Sequence, residues 1–301
     1  MACTQKRFSS STNKYLVKTL MMDLDQLLQR QSLAIKLARK AGQLIKETTG
    51  AITTIDNKCS FADLVTETDR TCEKMVFEEI KQHFPDDDFI GEESSSDSTS
   101  LTDRGTWIID PVDGTTNFVH SFPFSCISIG FALDRQSVIG VVYNPHFDLL
   151  YTAIKGQGAK VISNEGALEQ KLSVRSCPSL SQALIVSELG SQRTEAKREC
   201  VFKNMETIGW QCHGIRMLGS CALNLCSVAA GQTDAFFEYG PYSWDVCAGS
   251  IIVTEAGGYL CDTDGSEFNL EARRFIAASS EKLAKEISSK IVVQYDPKTE
   301  Q

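Results

Sequence analysis

The stretch Trp107-Ile108-Ile109-Asp110-Pro111-Val112-Asp113-Gly114-Thr115-Thr116-Asn117 concentrates the chemistry of this chain. A short β-type run ends in an acid, a proline and a glycine force a tight turn, and a second acid follows three residues after the first. In that geometry two carboxylates and the intervening Val112 carbonyl converge on hard cations, which prefer oxygen ligands. Gly114 lets the backbone approach a ligand closely. The amides after it open a helix or a nest that holds a phosphate.

Outward from this turn, a β run over Asp88–Gly91 also ends in acids, Glu92 and Glu93, and an exposed Ser/Thr/Asp loop over 94–103 separates the two runs. Further upstream, apolar residues recur at three-and-four spacing from Asp23 to Glu47, ended by Gly50. The same spacing runs from about Asp69 to His83, with Thr66 or Thr68 as N-cap and Pro85 closing the segment. Downstream, Ser125–Leu133, Val138–Tyr143, Leu149–Ile154 and Ala159–Ile162 are β-branched and aromatic segments broken by turns, the pattern of an antiparallel meander. After about residue 180, strands at Ala183–Ser187 and Ala235–Glu238 alternate with helical stretches near Cys221–Ala230 and Val246–Ala256, which implies a second, α/β half. Trp244-Asp245 precedes the last of these. No repeat of solenoid period occurs.

The chain has 301 residues, 42% hydrophobic and 23% charged, enough to bury a full core, which excludes whole-chain disorder and a small disulfide scaffold. Its net charge of −9 argues against nucleic-acid binding, which needs a basic face. An acidic protein that handles anionic substrates needs cations, so bound metal is expected. No stretch approaches the roughly 20 apolar residues of a membrane span, and no secretory signal is evident. The 11 cysteines lack Cys-x-x-Cys pairs and zinc-ligand spacing and read as free, mostly buried thiols of a reducing, cytoplasmic compartment. Residues 1–22 carry Lys6, Arg7, Lys14 and Lys18 and no acid. They read as a disordered extension, with organelle targeting as the alternative. Residues 23–180 then form an N-terminal α+β half and 181–301 a C-terminal α/β half.

Each acid also has an ordinary reading. Asp-Pro and Asp-Gly are common turn dipeptides, Glu-Glu is usually a solvated surface, and an acid before a helix is usually a cap. The combination is more specific. Asp-Pro-Val-Asp-Gly-Thr at 110–115, Gly91-Glu92-Glu93 upstream, and Trp244-Asp245-Val-Cys-Ala-Gly followed by Glu255-Ala-Gly-Gly downstream together resemble the inositol monophosphatase family over about residues 23–290. The likeness extends through Asp63–Asp69, Glu188–Ser191, His213–Arg216 and Phe237–Gly240.

The resemblance implies an α/β fold (α+β in its segregation), layered α/β/α/β/α as a sandwich of the sugar-phosphatase type, in a homodimer. It implies Mg²⁺-dependent, lithium-sensitive hydrolysis of myo-inositol monophosphates, with two or three Mg²⁺ ions per site. Glu92, Asp110 and the Val112 carbonyl would bind one ion; Asp110, Asp113 and Asp245 would bind another. Thr115, hydrogen-bonded to Asp69, would work with Glu92 to orient and deprotonate the attacking water. Asp113 and the amides of Gly114 and Thr115 would meet the phosphate, and Lys58 would lie on a loop near the metals, or else be a solvated lysine. Glu238 would face inositol hydroxyls, with Ser191, Gly219, Ser220 and Cys221 around the ring. Cys221 and Tyr242 depart from the small apolar residue and the histidine more usual in close animal relatives.

Alternatives with the same metal motif are a 3′-phosphoadenosine 5′-phosphate nucleotidase or a fructose bisphosphatase, and an inactive scaffold is a further one. A haloacid-dehalogenase phosphatase needs two acids two residues apart, and here the spacing is three. Gly156-Gln-Gly-Ala-Lys reads as a hairpin turn and Asp262-Thr-Asp-Gly265 as a β-turn. His83, His120, His146 and His213 show no metal spacing and read as structural or surface residues.

Overall fold

The computed structural model describes residues 22–50, 55–58, 60–95 and 99–299. The N-terminal extension, apart from Met22, lies outside the described residues. Helix α1, Leu24–Thr48, opens on a reciprocal cap: Asp23 Oδ1 accepts from the Gln26 amide at 2.8 Å and the Gln26 side chain accepts from the Asp23 amide at 3.2 Å. Strands β1 (Ile55–Asn57) and β2 (Leu64–Thr66) pair antiparallel, and the turn between them carries Lys58. Helix α2 spans Glu67–His83 with Thr66 as its N-cap. It starts two residues before the sequence reading because Asp69 sits inside the first turn, where its carboxylate accepts from the Thr66 amide at 2.9 Å.

Strands β3 (Asp88–Gly91) and β4 (Thr106–Asp113), the short helix α3 (Thr115–Val119), and strands β5 (Cys126–Leu133), β6 (Gln136–Asn144), β7 (Leu149–Ile154), β8 (Ala159–Ser163) and β9 (Leu168–Lys171) follow. They form a seven-stranded sheet in the order β3 to β9, parallel between β3 and β4 and antiparallel elsewhere. The expected meander is present, lengthened by β9. All four residues of β9 are exposed, and three of them are polar, which leaves no apolar alternation to mark it.

Beyond it run β10 (Leu184–Ser187), α4 (Glu195–Gly209), β11 (Gly214–Arg216), α5 (Cys221–Ala229), β12 (Ala235–Tyr239), α6 (Ser243–Glu255), β13 (Tyr259–Cys261), β14 (Arg274–Ala278) and α7 (Glu281–Ser288). Their five strands form a mixed sheet ordered β11-β10-β12-β14-β13. Helix α6 begins three residues earlier than the sequence reading, so Asp245 lies in its first turn and accepts from the Tyr242 amide at 2.6 Å.

Alternation along β4 separates two cores. Trp107 and Ile109 join Leu37 and Val76 of α1 and α2 on one face, while Ile108 joins Leu225 and Ile252 of α5 and α6 on the other. The second core continues through α5 and α6 to Phe236 and Phe275 of the small sheet. A third core, with Ile185, Phe237, Cys200 and Leu283, places α4 and α7 on that sheet's far face. The result is the five-layered α/β/α/β/α sandwich. Helix α6 lies so close to β6 that a Cβ on Gly140 would sit 2.3 Å from the Ala248 carbonyl.

Nine cysteines are described and all are free, eight of them buried. Gly156-Gln-Gly-Ala-Lys is the β7–β8 hairpin turn, and its Gly156 and Gly158 amides each donate to Glu255 at 2.7 Å. The Gly265 amide closes its β-turn on the Asp262 carbonyl at 2.9 Å. No helix among the described residues is long and apolar enough to cross a membrane.

Candidate active site

Residues three apart on a regular strand point to opposite faces, so Asp110 and Asp113 should diverge. They converge because the β4–β5 register breaks between them: Asp110 pairs with Ser128 and Asp113 with Cys126, so β4 holds one extra residue. This bulge, at Pro111-Val112, turns both acids to one side. Asp245 arrives from the first turn of α6, and the carboxylate oxygens of Asp110, Asp113 and Asp245 lie within 4.8 Å of one another. Stacking holds that turn: the Tyr242 and Trp244 rings lie 4.4 Å apart at 11°, and the Arg273 guanidinium covers Tyr242 at 3.6 Å.

Burial and crowding raise every carboxyl pKa in the cluster. Asp110 is pushed well above the usual carboxylate range by burial and then by Glu92, Asp113 and Asp245. Burial raises Asp245 to about 8, with Glu92 and Asp113 adding to it. Asp113 reaches about 6, because hydrogen bonds from Ser220 and the Ala222 and Cys221 amides offset part of its burial. Two buried acids and a third, Asp245, that is partly buried, offering only oxygen donors and with no described cation at hydrogen-bond distance, are a donor set that fits divalent hard cations.

Glu92 follows β3, its amide bonded to the Ile109 carbonyl at 3.2 Å. The Lys58 ammonium reaches it from the β1–β2 turn at 2.8 Å and reaches Glu93 at 2.7 Å. Burial works against that ammonium, but the two glutamates outweigh it and hold its pKa above the ordinary value. Burial lifts Glu93 itself to about 7. Thr115 Oγ1 donates to the Val112 carbonyl at 3.0 Å and, at a longer 3.4 Å, to Asp69 Oδ1. Burial raises Asp69 to about 6, against the Thr66 hydroxyl that lowers it.

Gly114 has φ +88°, and a Cβ there would meet the Gly219 and Phe124 carbonyls at 3.0 Å, so two loops close over a residue that must be glycine. The amides of Gly114 and Thr115 make no hydrogen bond to a described residue. Asp113 also ties the site to α5, accepting from the Cys221 amide at 3.1 Å, the Ala222 amide at 2.8 Å and the Ser220 hydroxyl. Ser220 is thereby committed as the α5 N-cap, and the Cys221 side chain is buried in the core between the sheets.

These groups line one cleft of about 780 Å³. Its lining includes Lys58, Glu92, the acid cluster, Ser191, Gly219 and Glu238. Glu238 is 7% exposed, its Oε2 has no hydrogen-bond partner, and burial followed by Glu188 raises its pKa. Sequence reasoning assigned no role to two residues that shape this cleft. Asn117 Nδ2 donates to the Phe124 carbonyl at 2.8 Å and to the Leu218 carbonyl at 2.7 Å. Glu188 accepts from the Leu218 and Gly219 amides at 2.7 and 2.9 Å and from Asn224 at 2.9 Å. Apart from Phe124, which is close to Asn117 in the chain, their partners lie far away in sequence; the signals available were the place of Glu188 at the end of a β run and in a stretch that resembles the family.

A five-layered sandwich with a buried acid cluster where β4 meets the first turn of α6 defines the class: metal-dependent phosphatases of the sugar-phosphatase type. A model of the inositol monophosphatase family matches residues 26–294. Inositol monophosphatase 1 of Sus scrofa is 46% identical over 265 residues, covering 86% of this chain and 93% of its own length. Inositol monophosphatase 2 of Solanum lycopersicum is 46% identical over 253 residues, covering 82% and 92%. Among solved structures, an IMPase of Thermotoga maritima has a TM-score of 0.74 at 33% identity, covering 87% of this chain and 99% of that one. The chain belongs to the inositol monophosphatase family.

Proposed function

We propose that this protein hydrolyses myo-inositol monophosphates to inositol and phosphate by direct attack of water, with Mg²⁺ as its metal. The observation that carries the reading is one cleft lined both by the carboxylate cluster and by Glu238, whose Oε2 has no hydrogen-bond partner. Glu92, Asp110 and the Val112 carbonyl would hold one ion, and Asp110, Asp113 and Asp245 another, two or three ions in all. Bound there, Mg²⁺ supplies positive charge opposite the phosphate and lowers the pKa of water.

The chain's own groups supply position and proton transfer. Asp110 would serve both ion positions, and the bulge fixes its angle to Asp113. Thr115 Oγ1 donates its proton inward, toward Asp69 or the Val112 carbonyl, which leaves its lone pairs to orient a water in the cleft. Glu92, or Asp69 by way of Thr115, receives the one proton that water gives up and returns it to the departing inositol oxygen; an Asp69 pKa of about 6 keeps that carboxyl largely ionised yet basic near neutrality. The Gly114 and Thr115 amides donate to phosphate oxygens. No residue is placed as a covalent nucleophile. Glu238 accepts from ring hydroxyls, with Ser191, Gly219 and the Cys221 segment around the ring.

The same reading includes lithium inhibition, by competition of a small cation for one ion position, and a cytoplasmic homodimer. It also divides the chain near residue 180, a division supported by the end of the large sheet at Lys171 and the start of the small one at Leu184. The test is Mg²⁺-dependent phosphate release from inositol 1-phosphate, 3′-phosphoadenosine 5′-phosphate and fructose 1,6-bisphosphate in parallel. Preference for inositol 1-phosphate is expected; preference for either bisphosphate would overturn the substrate assignment.

A further inference from the structure

Beside Glu238 in the cleft lies a charge the proposed reaction does not use. Lys197 is only 2% exposed yet lines the same cleft. It sits in the first turn of α4, where its amide is capped by Thr194 at 3.2 Å and where the helix dipole disfavours a cation. Its ammonium makes no hydrogen bond or ion pair with any described residue. Burial lowers its pKa, Glu238 opposes that shift, and Arg193 and Arg273 reinforce it.

The ammonium occupies a slot left by two missing side chains. A Cβ on Gly190 would lie 2.3 Å from Lys197 Nζ, and one on Gly240 would lie 2.7 Å from it. The same point above Gly190 is 3.4 Å from Glu238 Oε1. An ammonium that only donates and a carboxylate that only accepts therefore flank one spot without forming an ion pair, and neither has a described hydrogen-bond partner. A buried charge so placed is costly unless something completes it. A second phosphate would satisfy the lysine and be repelled by the glutamate, and an amine would do the reverse. A pair of neighbouring hydroxyls satisfies both, because each hydroxyl donates and accepts.

We propose that Lys197 and Glu238 act together as a vicinal-diol reader: the carboxylate accepts from one ring hydroxyl and the ammonium donates to its neighbour. Lys197 is then a specificity-determining residue for the polyol. The inference rests on the proposed hydrolysis of inositol monophosphates and deepens it.

The experiment compares full-length wild type and Lys197→Met on inositol 1-phosphate and on cyclohexyl phosphate, a ring of the same size without hydroxyls. The variant should lose about tenfold or more in kcat/KM on inositol 1-phosphate, chiefly through KM, and less than about twofold on cyclohexyl phosphate. Its melting temperature should be unchanged or higher, because a buried charge has been removed. If Lys197→Met does not fold, Lys197→Gln, which keeps a polar tip but loses the charge and the reach, should give the same selective loss. Equal losses on both substrates, or no loss on either, would overturn the inference while leaving hydrolysis intact. A wild type that does not prefer inositol 1-phosphate to cyclohexyl phosphate would refute the polyol reading itself, and the inference with it.

Discussion

Glu238 shows how a residue used for recognition differs from one used for stability. Its Oε2 is buried without a partner, and burial and Glu188 raise its pKa. A raised folded-state pKa means that the stability linked to this group is fully present below the unfolded value and drains away as pH rises through the folded one. Glu238→Gln removes that loss. Thermal melts should therefore show the variant matching wild type near pH 4 and melting a few degrees higher at pH 8. In turnover the variant should lose more on inositol 1-phosphate than on an aryl phosphate, and equal losses would remove Glu238 from the sugar site. At this scale the acids of Asp-Pro-Val-Asp-Gly were legible but their geometry was not: the pattern predicts a strand ending at Asp110 and a tight turn, whereas β4 runs on through a bulge to Asp113 and turns only at Gly114. Lys197 was not legible. Within Glu195-Ala-Lys-Arg-Glu it looks like any solvated helix start, and only the fold puts it between Gly190 and Gly240.

Among the elements, α3 is a clamp more than a structural helix. It is five residues long, and through Asn117 it joins the loops at Phe124 and Leu218 that close over Gly114. Asn117→Ala leaves two partly buried carbonyls unpaired, at a cost of about 2–4 kcal/mol in denaturant unfolding. Its activity should fall more steeply than its stability, since the Gly114 turn loses its lid; activity unchanged in a destabilised protein would contradict this. Amphipathic α1 and α2 and the meander strands were readable from periodicity. The sequence places helix α5 to within one residue, but α6, mostly buried and without a polar face, has its expected start three residues late, which displaces Asp245 from its true place in the first turn. Strands β11 and β13 are three residues long, too short for periodicity to decide.

For the molecule as a whole, the five layers bring acids from β4 and α6 into one buried cluster on a chain of net charge −9. Their mutual repulsion opposes folding until positive charge arrives, which couples metal binding to stability. Adding Mg²⁺ at a large excess over its Kd to chelator-treated protein should raise the melting temperature by about 5 °C. Asp113→Asn should abolish most of that rise, and an equal rise in the variant would place the ion elsewhere. The alternation of strands and helices after residue 180 implied a second α/β half and the family resemblance supplied the layer order, whereas the way α4 and α7 cover the small sheet was not legible, because neither segment was read as a helix.

The most direct test of the metal-centred account is phosphate release from inositol 1-phosphate by wild type and Asp113→Asn, each with Mg²⁺ and with chelator. Asparagine keeps one oxygen to accept from the α5 amides, so circular dichroism should show the variant folded. The account predicts turnover by wild type only when Mg²⁺ is present and a loss of at least about a hundredfold in the variant. Turnover by a folded Asp113→Asn protein within about tenfold of wild type, or wild-type turnover unaffected by the chelator, would contradict it.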